Sequence, residues 1–373
     1  MSTVKANAII DASGGNTATI NSMTPTADSL QGQRNRIING DMRIDQRNAG
    51  ASVTPADGSY TLDRWKVNLS QASKLTTQQD AGAVTPPAGF SDYLGVTSTS
   101  AYSVGAGEQF SLLQNIEGFN FYDMAWGTAN AQAVTLSFWV RSSLTGTFGG
   151  ALNNSAYSRS YPFTFTISAA NTWEQKLITI AGDTSGTWIG ATNGVGLRIT
   201  FNLGTGSTFS GTAGAWSGSA FVSATGATSV VGTNGATLYI TGVQLEVGSV
   251  ATPFERRDYG RELMMCQRYY YRTTYGANST TLVVGVVNST TSAAQCGFTH
   301  PVTMRAAPTA GYSGVTVYDG GVNPAVTSIS AQSSSTTHST INVGATGGGL
   351  TVGRGACILA ANSNQYLDYS SEL

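Results

Sequence analysis

The chain has 373 residues and a formal charge of -1 (19 Lys plus Arg, 20 Asp plus Glu). Only 10% of its residues are charged, against roughly 25% in an ordinary soluble domain. So neutral a chain has no long-range field to gather nucleic acid. No stretch approaches the roughly 20 apolar residues of a membrane span, and an apolar content of 40% suffices for a core, so the composition excludes nucleic-acid binding, membrane insertion and global disorder.

Residues 1–33 are small and polar, and SGGNTATINSMTPTADSLQGQ shows no sustained period. They read as an extended N-terminal arm that orders on a partner, with Asn7–Ile10 and Thr17–Ile20 able to add as strands to another subunit. The opening MSTVKANAII has one Lys and no long apolar run, so it does not read as a secretory signal. From Arg36 the pattern turns to β: RIINGDMRI reads as a β segment broken at the turn pair Asn39-Gly40. YTLDRWKVNL, AVTLSFWVRSS, YPFTFTI, EQKLITIAG, GVGLRITFNL and ATLYITGVQLEV follow, separated by Gly/Ser/Thr/Asn turns. About ten such strands predict an antiparallel, jelly-roll-like β-sandwich over residues 34–257, with one helix-like stretch near Ile116–Trp126.

At Pro253-Phe254-Glu255-Arg256-Arg257 the register changes, and Tyr259–Tyr271 has near-helical spacing, which predicts a short linking helix within residues 258–275. Residues 276–373 read as a smaller C-terminal β domain, with strand-like runs at Thr281–Val287, Gln295–Phe298, Val315–Tyr318, Thr340–Val343 and Ala356–Ala360. The fold class is therefore all-β. No period of 20–50 residues recurs, which excludes solenoids and propellers, and no heptad or Gly-X-Y run is present.

Candidate chemistry is sparse. Cys266, Cys296 and Cys357 lie far apart, giving neither a zinc pattern nor a disulfide framework, and they read as buried small residues in a chain made in a reducing cytosol. His300 and His338 are too few for a His-rich metal site. Asp41, Asp45, Asp57 and Asp63 are the dense carboxylates of the N-terminal part, and Asp63 before Arg64 reads as a structural ion pair or turn cap. Tyr269, Tyr270 and Tyr271 would point three ways on a helix, so they read as hinge packing with Arg268 and Arg272 as partners. Trp65 and Trp139 sit in alternating strands and read as core.

Two segments carry a family likeness. The first is Asn35-Arg36-Ile37-Ile38-Asn39-Gly40-Asp41-Met42 with Leu62-Asp63-Arg64-Trp65. The second is Tyr239-Ile240-Thr241-Gly242-Val243-Gln244-Leu245-Glu246-Val247-Gly248, running through Ala251-Thr252-Pro253-Phe254-Glu255-Arg256-Arg257 to Cys266-Gln267-Arg268-Tyr269-Tyr270. Together they resemble the tail-fibre or receptor-binding-like structural proteins of tailed bacteriophages, and the first and last strands resemble those of carbohydrate-binding-module jelly rolls. The resemblance covers roughly residues 34–275. It implies a virion protein made in the host cytoplasm, most simply a tail fibre, that forms a homotrimer and attaches to host-surface glycans. The alternatives are a head fibre, a capsid decoration or a tail adaptor without a glycan ligand, and less readily a polysaccharide depolymerase. Residues 1–33 would dock it to other virion proteins.

Jelly rolls of that kind often hold a structural calcium. Here Arg43 stands where an acidic ligand is wanted, which disfavours calcium, although Asp41, Asp45 and Glu246 could form a different site. No other cofactor or metal is indicated. A sugar presents its apolar face to indole rings, and Trp126, Trp173, Trp188 and Trp216 all lie at turns (AWGT, NTWEQ, GTWIG, GAWSG). They are the candidate glycan contacts, Trp188 and Trp216 first, with loop anchoring as the alternative. The expected protein is not an enzyme: no catalytic residue stands out, and the repeat texture of a β-helical depolymerase is missing.

Overall fold

The computed structural model describes residues 33–274, 276, 280–288 and 290–373. The arm expected over residues 1–33, with its two candidate strands, falls outside the described residues except for Gln33. The chain divides into two compact units. One comprises the residues to Arg43, Gly50–Ser59 and Trp65–Arg256; the other comprises Ile44–Ala49, Tyr60–Arg64 and Arg257–Leu373. Neither is continuous in sequence, whereas the sequence reading divides the chain into contiguous ranges. Strand β1 (Tyr60–Leu62) belongs to the second unit.

The first unit is an antiparallel sandwich. Its strands are β2 (Trp65–Leu69), β3 (Leu75–Gln79), β4 (Leu94–Ser98), β5 (Gln109–Glu117), β6 (Val134–Ser142), β7 (Gly146–Asn153), β8 (Ser160–Ile167), β9 (Glu174–Ile180), β10 (Val195–Thr205), β11 (Ser210–Gly211), β12 (Ser223–Ala224) and β13 (Thr237–Val247). One sheet runs β2-β5-β10-β7-β8 and the other β3-β4-β13-β6-β9, while β11 and β12 form a short parallel pair apart from both. Alternation explains the layering. In β6, Val134, Leu136, Phe138 and Val140 are all fully buried, and Phe138 meets Phe201 of β10 and Phe165 of β8 at centroid distances of 5.1 Å. Burying each such ring contributes about 1.5–3 kcal/mol. Trp65 is fully buried as expected, and its Nε1–H donates to the Asn39 carbonyl at 2.9 Å. Trp139 differs from expectation: it alternates with the buried residues of β6, so it falls on the other face of its sheet and is only half-buried.

The segment 36–44 is not the expected strand. It passes through left-handed Asn39 (φ 56°) and Met42 (φ 61°) and is tied to β13 by Arg36 N–H to the Leu245 carbonyl and Val243 N–H to the Gly40 carbonyl, both at 2.9 Å. A Cβ on Gly40 would lie 2.2 Å from the Val243 carbonyl oxygen, so only glycine allows that approach. The helix considered near Ile116–Trp126 is instead the end of β5 followed by single 3-10 turns at Gly118–Asn120 and Tyr122–Met124.

The second unit opens with α1 (Tyr259–Gln267). Its N-cap Asp258 accepts from the Arg261 amide at 3.0 Å, and Arg257 faces Glu262 at 3.3 Å in a buried pair. The helix ends at Gln267 rather than near Tyr271, and Tyr270–Thr274 forms β14. The consecutive aromatics favour a strand, where they alternate faces, over a further helical turn. The remaining strands are β15 (Thr280–Val286), β16 (Ala293–Thr299), β17 (Thr309–Ser313), β18 (Thr316–Tyr318), β19 (Val326–Ser334), β20 (His338–Ala345), β21 (Gly355–Ala360) and β22 (Tyr366–Ser370). They build a three-stranded sheet, β14-β22-β17, and a six-stranded sheet, β18-β21-β15-β16-β20-β19. Tyr271, Phe298 and Tyr369 stack between these sheets at centroid distances of 5.5 and 4.7 Å. The edge of His300 meets Tyr369 at 5.1 Å, and burial holds its imidazole below the ordinary value.

The tyrosine run finds other cationic partners than its sequence neighbours alone. The Arg64 guanidinium lies 3.5 Å from the Tyr269 ring centroid and bonds Glu372. Arg47 lies 3.5 Å from the Tyr270 ring centroid and bridges Asp63 and Glu372, both at 3.1 Å, while Arg272 reaches Asp368 at 3.0 Å. Asp63 is therefore in an ion pair, with Arg47 rather than its neighbour Arg64. Burial pushes the Asp63 carboxyl up to about 6 even with that guanidinium beside it. Cys266 and Cys296 are buried, and all three cysteines are free thiols.

Candidate ligand-binding site

Three of the four nominated tryptophans come together. Trp126 and Trp188 meet edge to face at 4.9 Å, Trp126 and Trp216 at 5.1 Å, and Trp188 and Trp216 at 5.6 Å; Phe121 and Tyr161 complete the cluster. Each indole N–H is used: Trp126 donates to the Gln132 carbonyl, Trp216 to the Ala181 carbonyl, and Trp188 to Asp183 Oδ2. Asp183 in turn takes a two-pronged bond from Arg159, both contacts 2.7 Å. Burial raises the neighbouring Tyr161 phenol above its ordinary value. Trp126 is buried, which removes most of its ring from any ligand; Trp188 and Trp216 are half-buried. Trp173 stands elsewhere, against Tyr93 at 5.5 Å, with its N–H on the Thr85 carbonyl. The cluster thus anchors turns that are far apart in sequence. Phe119 and Tyr122, which the sequence reading did not single out, flank Phe121 and are exposed; their only signal is two large rings in a turn region.

A second location is built from the sheet β2-β5-β10-β7-β8. Strand β5 is buried on both faces, so its outward positions Gln109, Ser111, Leu113, Asn115 and Glu117 form a largely polar row that water does not reach freely. Pairing places Asn68 and Asn202 either side of Ser111, and Lys66 and Thr200 either side of Leu113. The segment after β10 lies over this face: a Cβ on Gly149 of β7 would fall 2.8 Å from Ser223 Oγ and 3.1 Å from the Ala224 amide. Between that cover and the β2–β5 edge lies a cavity of about 410 Å³, lined by Asp57, Asn68, Gln109, Tyr157 and Phe209 among others. The Tyr157 ring is backed by the Arg198 guanidinium at 4.1 Å, and Asp57 Oδ1 accepts from the Leu69 amide at 2.7 Å. Gln109 Oε1, Ser111 Oγ, Asn153 Oδ1 and Thr200 Oγ1 are buried without a protein partner, all on this side of one sheet. Buried oxygens in that condition cost about 1–3 kcal/mol each unless a donor reaches them. Of these four residues Gln109 lines the cavity, which therefore offers the Asn68 and Gln109 amides, an aromatic ring and one carboxylate, Asp57, to whatever enters.

The acidic residues weighed for calcium are drawn into local bonds. Asp41 Oδ2 meets Arg43 Nε at 2.5 Å, and Glu246 accepts from the Thr252 amide and hydroxyl and from Gln244. Among the described residues no three His, Cys, Asp or Glu side chains gather as a metal site.

No family model and no curated protein matches the sequence. Among solved structures, the enzymatically active domain of bacteriophage CBA120 tailspike protein 4 aligns at 12% identity and a TM-score of 0.29, over 52% of this chain and 21% of that one, so this chain spans about a fifth of the tailspike's length. The module TmCBM61, in complex with β-1,4-galactotriose, aligns at 13% identity and a TM-score of 0.29, over 58% of this chain and 100% of that one. A family 11 carbohydrate-binding module from Clostridium thermocellum, in complex with a mixed-linked tetrasaccharide, aligns at 10% identity and a TM-score of 0.28, over 53% and 96%. At this level of likeness no residue of this chain takes a role from them.

Proposed function

We propose that the chain is a non-enzymatic virion protein of a tailed bacteriophage whose first unit holds an uncharged host-surface glycan in the cavity beside β2 and β5. The supporting observation is the cavity itself, a 410 Å³ space lined by the amides of Asn68 and Gln109, the latter with a buried Oε1 that has no protein partner, and by the Tyr157 ring. Sugar hydroxyls are donors of the right kind, and a pyranose face suits an aromatic ring. Among the described lining residues Asp57 is the one carboxylate, whereas glycoside hydrolysis ordinarily uses a facing pair. Placement on the virion, as a tail fibre before a head fibre, decoration or adaptor, rests on the sequence resemblance at Asn35–Met42 and Tyr239–Gly248. Trimer formation and docking through residues 1–33 belong to the same reading.

Binding of the full chain to an array of neutral and acidic glycans, followed by titration calorimetry, tests this. Neutral glycans bind, and Asn68→Ala or Tyr157→Ala weakens them at least tenfold while Trp188→Ala does not. The reverse pattern moves the ligand to the tryptophan cluster, and no binding at all removes the glycan reading. Shortening of a host polysaccharide by the purified protein removes the non-enzymatic one.

A further inference from the structure

The cavity beside β2 and β5 takes its lining from two sources of unlike chemistry. The sheet edge supplies Asn68 of β2, Ser70 just beyond it and Gln109, the first residue of β5. The segment after β10 supplies Phe209, Ala220 and Val222, all apolar. On the sheet side Ser70 Oγ accepts from the Gln109 amide at 2.8 Å, and the Ser70 amide donates to the Gln109 carbonyl at 2.9 Å. That exchange fixes where β2 and β5 end, and Gln109 Oε1 is buried there without a protein partner. On the cover the Val222 amide donates to the Phe209 carbonyl at 2.9 Å, which brings those two residues side by side. Val222 and the lining residue Leu69 are both buried.

We propose that the sugar held here carries an N-acetyl group, so that the ligand is a neutral N-acetylhexosamine unit of the glycan. This rests on the glycan reading above and adds the class of sugar to it. A plain hexose turns hydroxyls outward around its rim, and a hydroxyl set against Phe209, Ala220 or Val222 loses water and gains no bond. An acetamido group combines both chemistries in one planar unit. Its methyl matches the cover, its N–H matches Gln109 Oε1, and its carbonyl matches an N–H of the Asn68 amide. A hydroxyl also donates to Gln109, but it brings no methyl for the cover. The Tyr157 ring is left for the face of the pyranose. An anionic sugar would meet the Asp57 carboxylate in a space that water screens only in part, which disfavours sialic and uronic acids. The volume of about 410 Å³ lies in the ordinary range for small-ligand sites.

Titration calorimetry of the full chain against matched sugars tests this: N,N′-diacetylchitobiose against cellobiose, and N-acetylgalactosamine against galactose, with N-acetylneuraminic acid as the anionic control. Each N-acetyl sugar binds at least tenfold more tightly than its plain counterpart, and the acid does not bind. Gln109→Leu removes the acceptor, and Ala220→Asp puts a charge on the cover at an exposed position. Each variant lowers the ratio of the two affinities at least threefold. The ratio is the readout because a general loosening of the site weakens both sugars alike. Ala220→Asp decides the matter if circular dichroism shows Gln109→Leu unfolded. Plain sugars that bind as tightly as their N-acetyl counterparts overturn the proposal and leave the glycan reading standing. A ratio unchanged in both variants overturns it too, since the acetamido group then sits elsewhere. Silence from both matched pairs overturns it whatever other glycan binds; silence from the whole glycan array removes the glycan reading beneath it as well.

Discussion

Both units pair antiparallel sheets around an apolar interior, but the outer face of β2-β5-β10-β7-β8 in the first differs from that of the six-stranded sheet in the second. In the first unit that face is polar and the chain lays its own segment, β11 to β12, across it. In the second, Val284, Val286 and Tyr318 on the outer face of the six-stranded sheet are exposed among the described residues. The contrast shows how a chain with 10% charged residues manages exposed sheet. In the first unit that cover lies over a sheet face where Gln109, Ser111, Asn153 and Thr200 hold buried oxygens without protein partners. On the six-stranded sheet Gln295, Asn342 and Thr340 share the outer face with those exposed apolar side chains. The second unit instead concentrates ions inside, at Arg47, Asp63, Arg64 and Glu372.

Three changes sharpen this contrast. The largest effect is expected from Arg64→Ala. It leaves Glu372 short of its buried partner and Tyr269 without its stacked cation, and should cost about 3–5 kcal/mol, read in chemical denaturation as early melting of the second unit. A loss below about 1 kcal/mol would mean that the ionic interior matters no more than a surface pair. Next is Gly149→Val, which drives a side chain into Ser223 and Ala224. It should cost about 1–3 kcal/mol and speed amide exchange in the covering segment, leaving the second unit unchanged. Smallest is an acid effect at Asp319. Three backbone amides hold its carboxyl down at about 2, so its contribution is present above the ordinary value of 3.8 and lost as pH falls through about 2. Exchange at Gly321, Val322 and Thr351 should therefore accelerate over that window in the wild type, while Asp319→Asn shows fast exchange at every pH.

The sandwich of the first unit was legible because strands such as VTLSFWV and GLRITFNL alternate or run apolar between Gly-rich turns. Val326–Ser334 was not: VTSISAQSS is too polar to stand out as a strand, and it forms strand β19 at a sheet edge, where polar side chains meet water. The segment Arg36–Ile44 looked like a strand because Ile37, Ile38, Met42 and Ile44 are apolar. They are buried as coil instead, since Asn39 and Met42 take left-handed backbone that no pattern of hydrophobicity announces. Glycine flanks singled out Trp126, Trp188 and Trp216 as turn residues, but their convergence depends on contacts across ninety residues of chain. The cavity was hidden for the same reason: QFSLLQNIE gives its face pattern in sequence, whereas the lack of a partner for Gln109 Oε1 exists only once neighbouring strands and cover are in place.

The second unit is completed by residues that a ribosome makes far apart in time. Arg64 and Glu372 are separated by 308 positions, and at about 5–20 residues per second the earlier partner waits about 15–60 s for the later one. Throughout that interval two ions destined for the interior remain hydrated, and the whole stretch Trp65–Arg256 can mature as an insert within an unfinished host. Cutting the gene at residue 257 would therefore not liberate a downstream module: it would discard the Arg47 and Arg64 on which its last turn of chain closes.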